Sequence, residues 1–363
     1  MQKLGFGLMR LPKKGILTDI TQVKEMVNQF MAAGGTYYDT AHVYPGSEQA
    51  VRKALVERYP RDSFTLATKL NAMMAPGERA AKKQFATSLE RTGAGYFDYY
   101  LLHALMEGGY TKYDRWKLWD FVYEQKSKGL IKHLGFSFHA GPKLLDQLLN
   151  QHPDVDFVQL QINYLDWENP KVTARANYEV ARKHNVPIVV MEPVKGGALE
   201  NPPAEVKKLF SECRPGMSPA SWAIRFAASL DGVMTVLSGM SNLAQMEDNL
   251  SYMRDFRPLD DTEQKIIQQA QRIMGKSAAI PCTGCRYCVE GCPRNIPIPE
   301  IFAAMNKRLA NGQAADAESA YWQAVGGGSK ASDCIGCGQC EKVCPQRLEV
   351  VKHLRGCAEV LEK

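Results

Sequence analysis

Residues 23–44 read VKEMVNQFMAAGGTYYDTAHVY and contain one complete cycle of helix, stop and strand. Val23, Met26, Val27, Phe30 and Met31 recur at helical spacing and mark one apolar face. Ala33-Gly34-Gly35 ends the helix, and Tyr37–Asp39 follows as a short strand whose last residue is acidic. The same alternation continues to about Ile273. Further strands are expected at Gly5–Met9, Phe64–Lys69, Tyr99–His103, His133–Ser137, Phe157–Gln161, Pro187–Met191 and Val233–Leu237, and Leu144, Leu145, Leu148 and Leu149 give another apolar helix face. Eight such cycles predict an α/β chain folded as a (β/α)8 TIM barrel. No G-x-G-x-x-G follows an early strand, which argues against a dinucleotide-binding open sheet, and the cycles are too unlike one another to be a sequence repeat.

The chain has 363 residues, 45% hydrophobic and 23% charged, enough for one large domain and a small one. We expect the barrel over 1–275 and a second unit over 276–363, joined by the short linker Gly275-Lys276-Ser277-Ala278-Ala279. No stretch approaches the run of apolar residues needed to span a membrane, and Met1 to Pro12 has no signal-peptide pattern, so the expected compartment is the cytoplasm. The net charge of +6 is spread along the chain rather than gathered in a basic run, which gives no indication of nucleic-acid binding.

Eight of the ten cysteines fall in the second unit as two copies of C-x2-C-x2-C-x3-C-P. The first is Cys282, Cys285, Cys288 and Cys292 before Pro293; the second is Cys334, Cys337, Cys340 and Cys344 before Pro345. This is the spacing by which ferredoxin-type domains hold two 4Fe-4S clusters, the fourth cysteine of each run crossing to the other cube. We therefore expect Cys282, Cys285, Cys288 and Cys344 on one cluster, and Cys334, Cys337, Cys340 and Cys292 on the other. Structural zinc and disulfides are the competing readings, but zinc takes four ligands and disulfides have no use for a fixed C-P ending. Pro299–Val325, between the runs, reads as helical, so the unit is expected to be mainly helical. Tyr287, inside the first run, is expected to pack over a cube; Cys213 and Cys357 lie outside both runs and read as idle thiols.

Catalytic groups of such a barrel sit where strands end, so the polar residues at those ends carry the chemistry. Asp39 ends the second strand with Tyr44 just beyond it, Lys69 ends the third, and His103 ends the fourth. A phenol ionises near pH ~10, and an adjacent ammonium would draw that value down. Asp39 would orient Lys69, while His103 would hold a carbonyl oxygen or relay a proton. His42 and His139 sit beside these residues and read as supporting groups. The loops Ala104–Asp114 and Val194–Pro215 are expected to shape the substrate pocket, with Met106, Tyr110, Tyr113 and Trp116 as lining candidates.

D-T-A-x-x-Y at 39–44, T-K at 68–69 and L-L-H at 101–103 resemble the catalytic tetrad of the aldo-keto reductase family, and the resemblance extends over the whole barrel. The resemblance implies that Tyr44 is the general acid toward a carbonyl, with Lys69, His103 and Asp39 assisting, and that a nicotinamide cofactor, NADP or NAD, delivers hydride. By the same resemblance Ser137 and Gln159 would hold the carboxamide, Met191 would take the place where an aromatic ring often stacks, and Gly239, Ser241, Gln245 and Asn249 would face the adenosine end. Phe138 stands where an asparagine is usual, and Gly239 and Gln245 stand where many members place Lys and Arg on the 2'-phosphate. With its cysteine-rich tail, the chain is similar to an iron-sulfur branch of that family.

Cubes pass single electrons and nicotinamide passes hydride, so coupling them needs a converter; a flavin would serve, although no flavin motif is present. Three readings follow. In the first, an oxidoreductase acts on a small carbonyl or alcohol substrate while its clusters exchange electrons with ferredoxin or another redox partner. The second keeps the nicotinamide-dependent carbonyl reductase and makes the clusters structural or sensing. The third is a non-catalytic electron-carrier subunit on a degenerate barrel.

Overall fold

The computed structural model describes residues 3–275, 279–311 and 314–363. All eight expected strands are present: β1 Leu4–Gly7, β2 Tyr37–Asp39, β3 Thr65–Leu70, β4 Phe97–Leu105, β5 Ile131–Phe138, β6 Phe157–Gln161, β7 Ile188–Met191 and β8 Val233–Ser238. They close into a barrel in the order β1-β8-β7-β6-β5-β4-β3-β2, every pair parallel. Strand alternation divides the side chains. Tyr37, Ala67, Leu101, Phe157, Val189 and Leu237 pack together in one cluster, while their neighbours Tyr38, Leu66, Tyr100 and Leu102 belong to the large core beneath the helices.

The helices bury the faces that their periodicity announces. Val23, Met26, Val27 and Phe30 are buried on helix Ile20–Ala32, whose N-terminus is capped by Asp19 accepting from the Gln22 amide at 3.1 Å. Leu145, Leu148 and Leu149 are buried on helix Pro142–Gln151, which carries its proline in the first turn. The first strand stops earlier than expected. Leu8–Arg10 turns into a 3-10 helix, and Met9 and Arg10 leave the sheet at the barrel mouth. A small hairpin pairing Lys13–Lys14 with Leu17–Thr18 was not foreseen.

The cysteine-rich unit is mainly helical, as expected. Helices Ile298–Asn311, Ala314–Val325 and Val350–Leu361 surround their own core of Ile301, Phe302, Tyr321, Leu354 and Leu361. The expected single helical segment 299–325 is thus two helices, with 312–313 outside the described residues. Gly275 caps helix Asp261–Met274, and the rest of the proposed linker, 276–278, also lies outside them.

This unit sits on the mouth of the barrel. Arg10 donates to the Thr283 carbonyl at 2.5 Å, Lys195 to Gln346 Oε1 at 3.3 Å, and Arg347 pairs with Glu107 at 3.5 Å. Gly196, at φ +65°, lies so close that a Cβ there would come within 2.4 Å of the Thr283 carbonyl oxygen. Lys195 is itself buried and fixed by Asp166 at 2.5 and 2.7 Å, so the contact rests on a rigid support.

Candidate active site

Strand register gathers three polar strand residues, Asp39, Lys69 and His103, at one mouth. Asp39 pairs in register with Ala67 and Lys69 with Leu101, which staggers the carboxylate and ammonium on neighbouring strands. Both are buried, and Lys69 Nζ meets Asp39 Oδ1 at 2.5 Å and the Thr40 carbonyl at 2.7 Å. Burial pushes the Asp39 carboxyl up and the Lys69 ammonium down, each partly restored by the other's charge. Tyr44 comes in from the loop after β2, its ring 5.4 Å from Lys69 Nζ and edge-on to His103 at 5.9 Å between centroids. Burial, with the Lys69 and His139 charges, holds His103 well below the usual imidazole range, so that ring is neutral.

The phenol differs from the expectation that Lys69 would draw it down. Burial pushes Tyr44 well above its ordinary value of 10.0, and Tyr287, Asp39 and Glu192 push the same way. The physical reason is burial first and the neighbouring carboxylates after it, which the Lys69 ammonium, held by Asp39 and Thr40, does not outweigh. A phenol held in this state keeps its proton available for donation.

A cavity of about 520 Å³ opens from these residues. Asp39, Tyr44 and His103 form its floor, and Gln159 and Met191 its near wall. Gly239, Ser241, Gln245 and Asn249 line the far end. Gln159 Oε1 and Asn249 Oδ1 are buried without a partner, and Gln159 Nε2 reaches only Met191 Sδ at 3.5 Å. Ser137 Oγ accepts from the Ala104 amide at 2.7 Å, fixing the turn after His103 where Ala104 takes φ +58°, and this leaves its own O–H as a donor. At the far end Gln245 Oε1 accepts from the Ser241 amide at 2.8 Å and its Nε2 donates to Glu200 at 3.3 Å, with Asp248 also on the wall.

The cysteines separate into the two expected sets. Cys292, Cys334, Cys337 and Cys340 surround one small cavity. Cys344 lies in the electrostatic neighbourhood of Cys282, Cys285 and Cys288, away from its own run. Cys285, Tyr287 and Pro345 line the large cavity, while Cys337 is exposed. Cys357 is buried in the tail core, and Cys213 is a half-buried thiol on helix Ala204–Cys213.

Several residues of the mouth were not singled out, or were given other work, from sequence. Tyr287 does not merely cover a cube: its hydroxyl lies 3.2 Å from His103 Nε2 and interacts with the Tyr44 hydroxyl. Its pairing across 184 residues of chain left no local signal. Glu192 lines the cavity with φ +57° and a buried Oε2 that has no partner. Arg10, whose charge opposes the effect of burial on Glu192, lies just past the expected first strand and was given no role. Met106, Tyr110, Tyr113 and Trp116 are not among the lining residues, because the tail unit occupies that side; Tyr113 is buried and its hydroxyl donates to the His103 carbonyl. Val194, Gly196, Gly197 and Glu200 do line the cavity, in keeping with the loop 194–215 expectation. His139 lines it too, pushed down to about 4 by burial and Arg347, whereas His42 contacts Ser88 and Arg91 at 3.5 Å behind the mouth.

Comparison with known proteins agrees with this geometry. The family model described as Aldo/keto reductase family matches residues 3–272, and that of the 4Fe-4S dicluster domain matches residues 281–348. Aldo-keto reductase str7 of Strobilurus tenacellus is 30% identical over 213 residues, 55% of this chain and 60% of that protein, so the chain spans less than two thirds of it. An aldo-keto reductase of Mycolicibacterium vanbaalenii is 28% identical over 254 residues, 69% of this chain and 82% of that protein. Among solved structures, aldo-keto reductase AKR11C1 from Bacillus halodurans in its holo form is 26% identical with a TM-score of 0.60, covering 74% of this chain and 91% of that one. An aldo-keto reductase from Klebsiella pneumoniae in complex with NADPH has the same fold at 18% identity, with a TM-score of 0.60 over 75% of this chain and 90% of that one. A closed barrel with this mouth, matched over nearly all its length and followed by a dicluster domain, makes the chain a member of the aldo/keto reductase family.

Proposed function

We propose that this protein is an oxidoreductase interconverting a small carbonyl and its alcohol, and that its dicluster unit takes part in the redox chemistry through a flavin-class converter, which would take the electron pair of a hydride and pass it on one electron at a time. The single observation behind this reading is the shared cavity: Tyr44 and His103 from the barrel, Gln159 and Met191 from the cofactor wall, and Cys285 from the first cysteine run all face one space. A structural or sensing appendage has no need to reach that space. In this reading the units divide at 275/276.

Tyr44 is the proton donor. Its hydroxyl gives a proton to the carbonyl oxygen on reduction and takes it back on oxidation. Lys69, fixed by Asp39, supplies the positive charge that stabilises the phenolate left behind, and neutral His103 holds the carbonyl oxygen through Nε2. A bound nicotinamide would supply the hydride. The orphaned Gln159 Oε1 fits a carboxamide donor and Asn249 Oδ1 fits an adenine amine, so the residues present suit that cofactor. The far end carries Glu200 and Asp248 and no Lys or Arg from 238–249, a setting that suits the uncharged ribose of NAD better than a 2'-phosphate dianion. Cys282, Cys285, Cys288 and Cys344 would hold the cluster beside the cavity, and Cys292, Cys334, Cys337 and Cys340 the outer one. Exposed Cys337 then marks the side from which a ferredoxin-like partner exchanges single electrons in a reducing cytoplasm.

Anaerobic titration with NADH and NADPH tests the reading. Bleaching of cluster absorbance on nucleotide addition supports it; carbonyl reduction with the clusters unchanged would assign them a structural role. Tyr44→Phe should lower carbonyl turnover by roughly 10²- to 10⁴-fold with nucleotide affinity kept, and unchanged turnover would remove the tetrad assignment.

A further inference from the structure

Tyr44 and His103 are the two groups that would hold a carbonyl oxygen, and in the structure one atom already lies against both. The Tyr287 hydroxyl is 3.2 Å from His103 Nε2 and interacts with the Tyr44 hydroxyl. Its ring stands edge-on to His103 at 6.2 Å. We propose that Tyr287 is an internal occupant of the carbonyl-oxygen subsite, so that the cysteine loop of the dicluster unit governs access to the barrel's reaction centre. This rests on the tetrad reading above.

The loop holds the ring there by its own geometry. Tyr287 lies between Cys285 and Cys288, and Arg286 before it takes φ +66°, the left-handed conformation that starts the short helix Tyr287–Glu290. Upstream, the Thr283 carbonyl accepts from Arg10 at 2.5 Å and packs on Gly196. The Tyr287 phenol gives His103 Nε2 and the Tyr44 hydroxyl a partner, and its loop is anchored upstream at Thr283. A substrate must replace both hydrogen bonds, so weakly accepting oxygens, such as those of α-dicarbonyl compounds, are disfavoured and strongly accepting ones, such as those of carbonyls conjugated to an electron donor, are favoured. Because the ring and the thiolates share one tight turn, a change in how the cysteines are arranged moves the hydroxyl.

The test measures equilibrium binding of 4-dimethylaminobenzaldehyde, whose carbonyl oxygen accepts strongly, to the anaerobically purified holoenzyme with oxidised nucleotide, where no hydride is available and affinity is read without turnover. Tyr287→Phe keeps the ring and the loop but removes the competing hydroxyl. It should bind the aldehyde about tenfold more tightly, equivalent to about 1.4 kcal/mol, with KM lowered in step, kcat for reduction retained and the cluster absorbance unaltered. Tyr287→Ala should bind at least as tightly. Equal or weaker binding by the Phe variant overturns the proposal whether or not the Ala variant folds. Tyr44→Phe placed in the Tyr287→Phe background separates the two readings: weakened aldehyde binding there upholds the tetrad site, and no change means that the tetrad reading, not the Tyr287 assignment, has failed.

Discussion

A buried neutral phenol beside a buried ion pair fixes how the site responds to pH and to mutation. Tyr44 is pushed well above 10.0 and His103 well below 6.5, so between those values neither changes its charge. A general acid works while protonated and fails above its own pKa, so carbonyl reduction should be level from about pH 7 to about pH 10 as far as these groups set it. A falling limb centred between pH 7 and 9 that vanishes in Tyr44→Phe would show a phenol drawn down rather than pushed up. The Lys69–Asp39 pair, 2.5 Å apart and out of water, makes removal of one partner costly. Asp39→Asn strands a buried cation and should destabilise the fold by about 3–5 kcal/mol, read as a lower urea midpoint at unchanged slope. At the far end of the cavity, Gln245→Arg would put a guanidinium where Gln245 now meets Glu200. The expected result is a gain in NADPH affinity relative to NADH, and an unaltered ratio would mean that Gln245 does not face the adenosine ribose.

At the scale of elements, the contact between unit and barrel depends on one loop. Gly196 has a left-handed φ of +65° and no space for a methyl group against the Thr283 backbone. Gly196→Ala should therefore cost about 1–3 kcal/mol and lift the first cysteine loop from the mouth, leaving the barrel folded. Faster proteolysis near residues 276–283 with unchanged far-ultraviolet dichroism is the expected signature; wild-type protection would show that the loops are not in register. The barrel itself was legible because each cycle carries its own signal: an apolar helical face such as Val23 to Phe30, a stop, and a short strand such as Tyr37–Asp39. The meeting of Asp39, Lys69 and His103 was legible because strand ends in a closed parallel barrel must converge. The two cysteine sets were legible because C-x2-C-x2-C spacing is a local constraint on where thiolates can point. What sequence could not give was the docking of one unit on the other. Tyr287 meeting His103, Lys195 meeting Gln346 and the displacement of loop 104–114 from the cavity all depend on contacts between distant segments, for which neither periodicity nor spacing leaves a trace. Ser137 adds one more: its position in the strand was read correctly, and no local pattern signals that its hydroxyl also accepts from the Ala104 backbone.

For the molecule as a whole, the arrangement has an inner and an outer end. Cys285 faces the cavity and Cys337 faces solvent, and the two cysteine sets lie between them in one small unit with a shared core. A unit of that size has little apolar area to bury, so the groups its thiolates hold should supply much of its stability. Anaerobically isolated protein should contain about eight irons and about eight acid-labile sulfides per chain. Cys337→Ser, at the outer set, should reduce the count to about four. It should leave the inner set reducible by nicotinamide nucleotide but cut electron delivery to a protein acceptor such as cytochrome c. Cys285→Ser should also leave about four irons, but those should no longer respond to nucleotide, because the set beside the cavity is the one removed. If the two variants behave alike, the order from cavity to surface is wrong, and the exposure of Cys337 has no bearing on how electrons leave the protein.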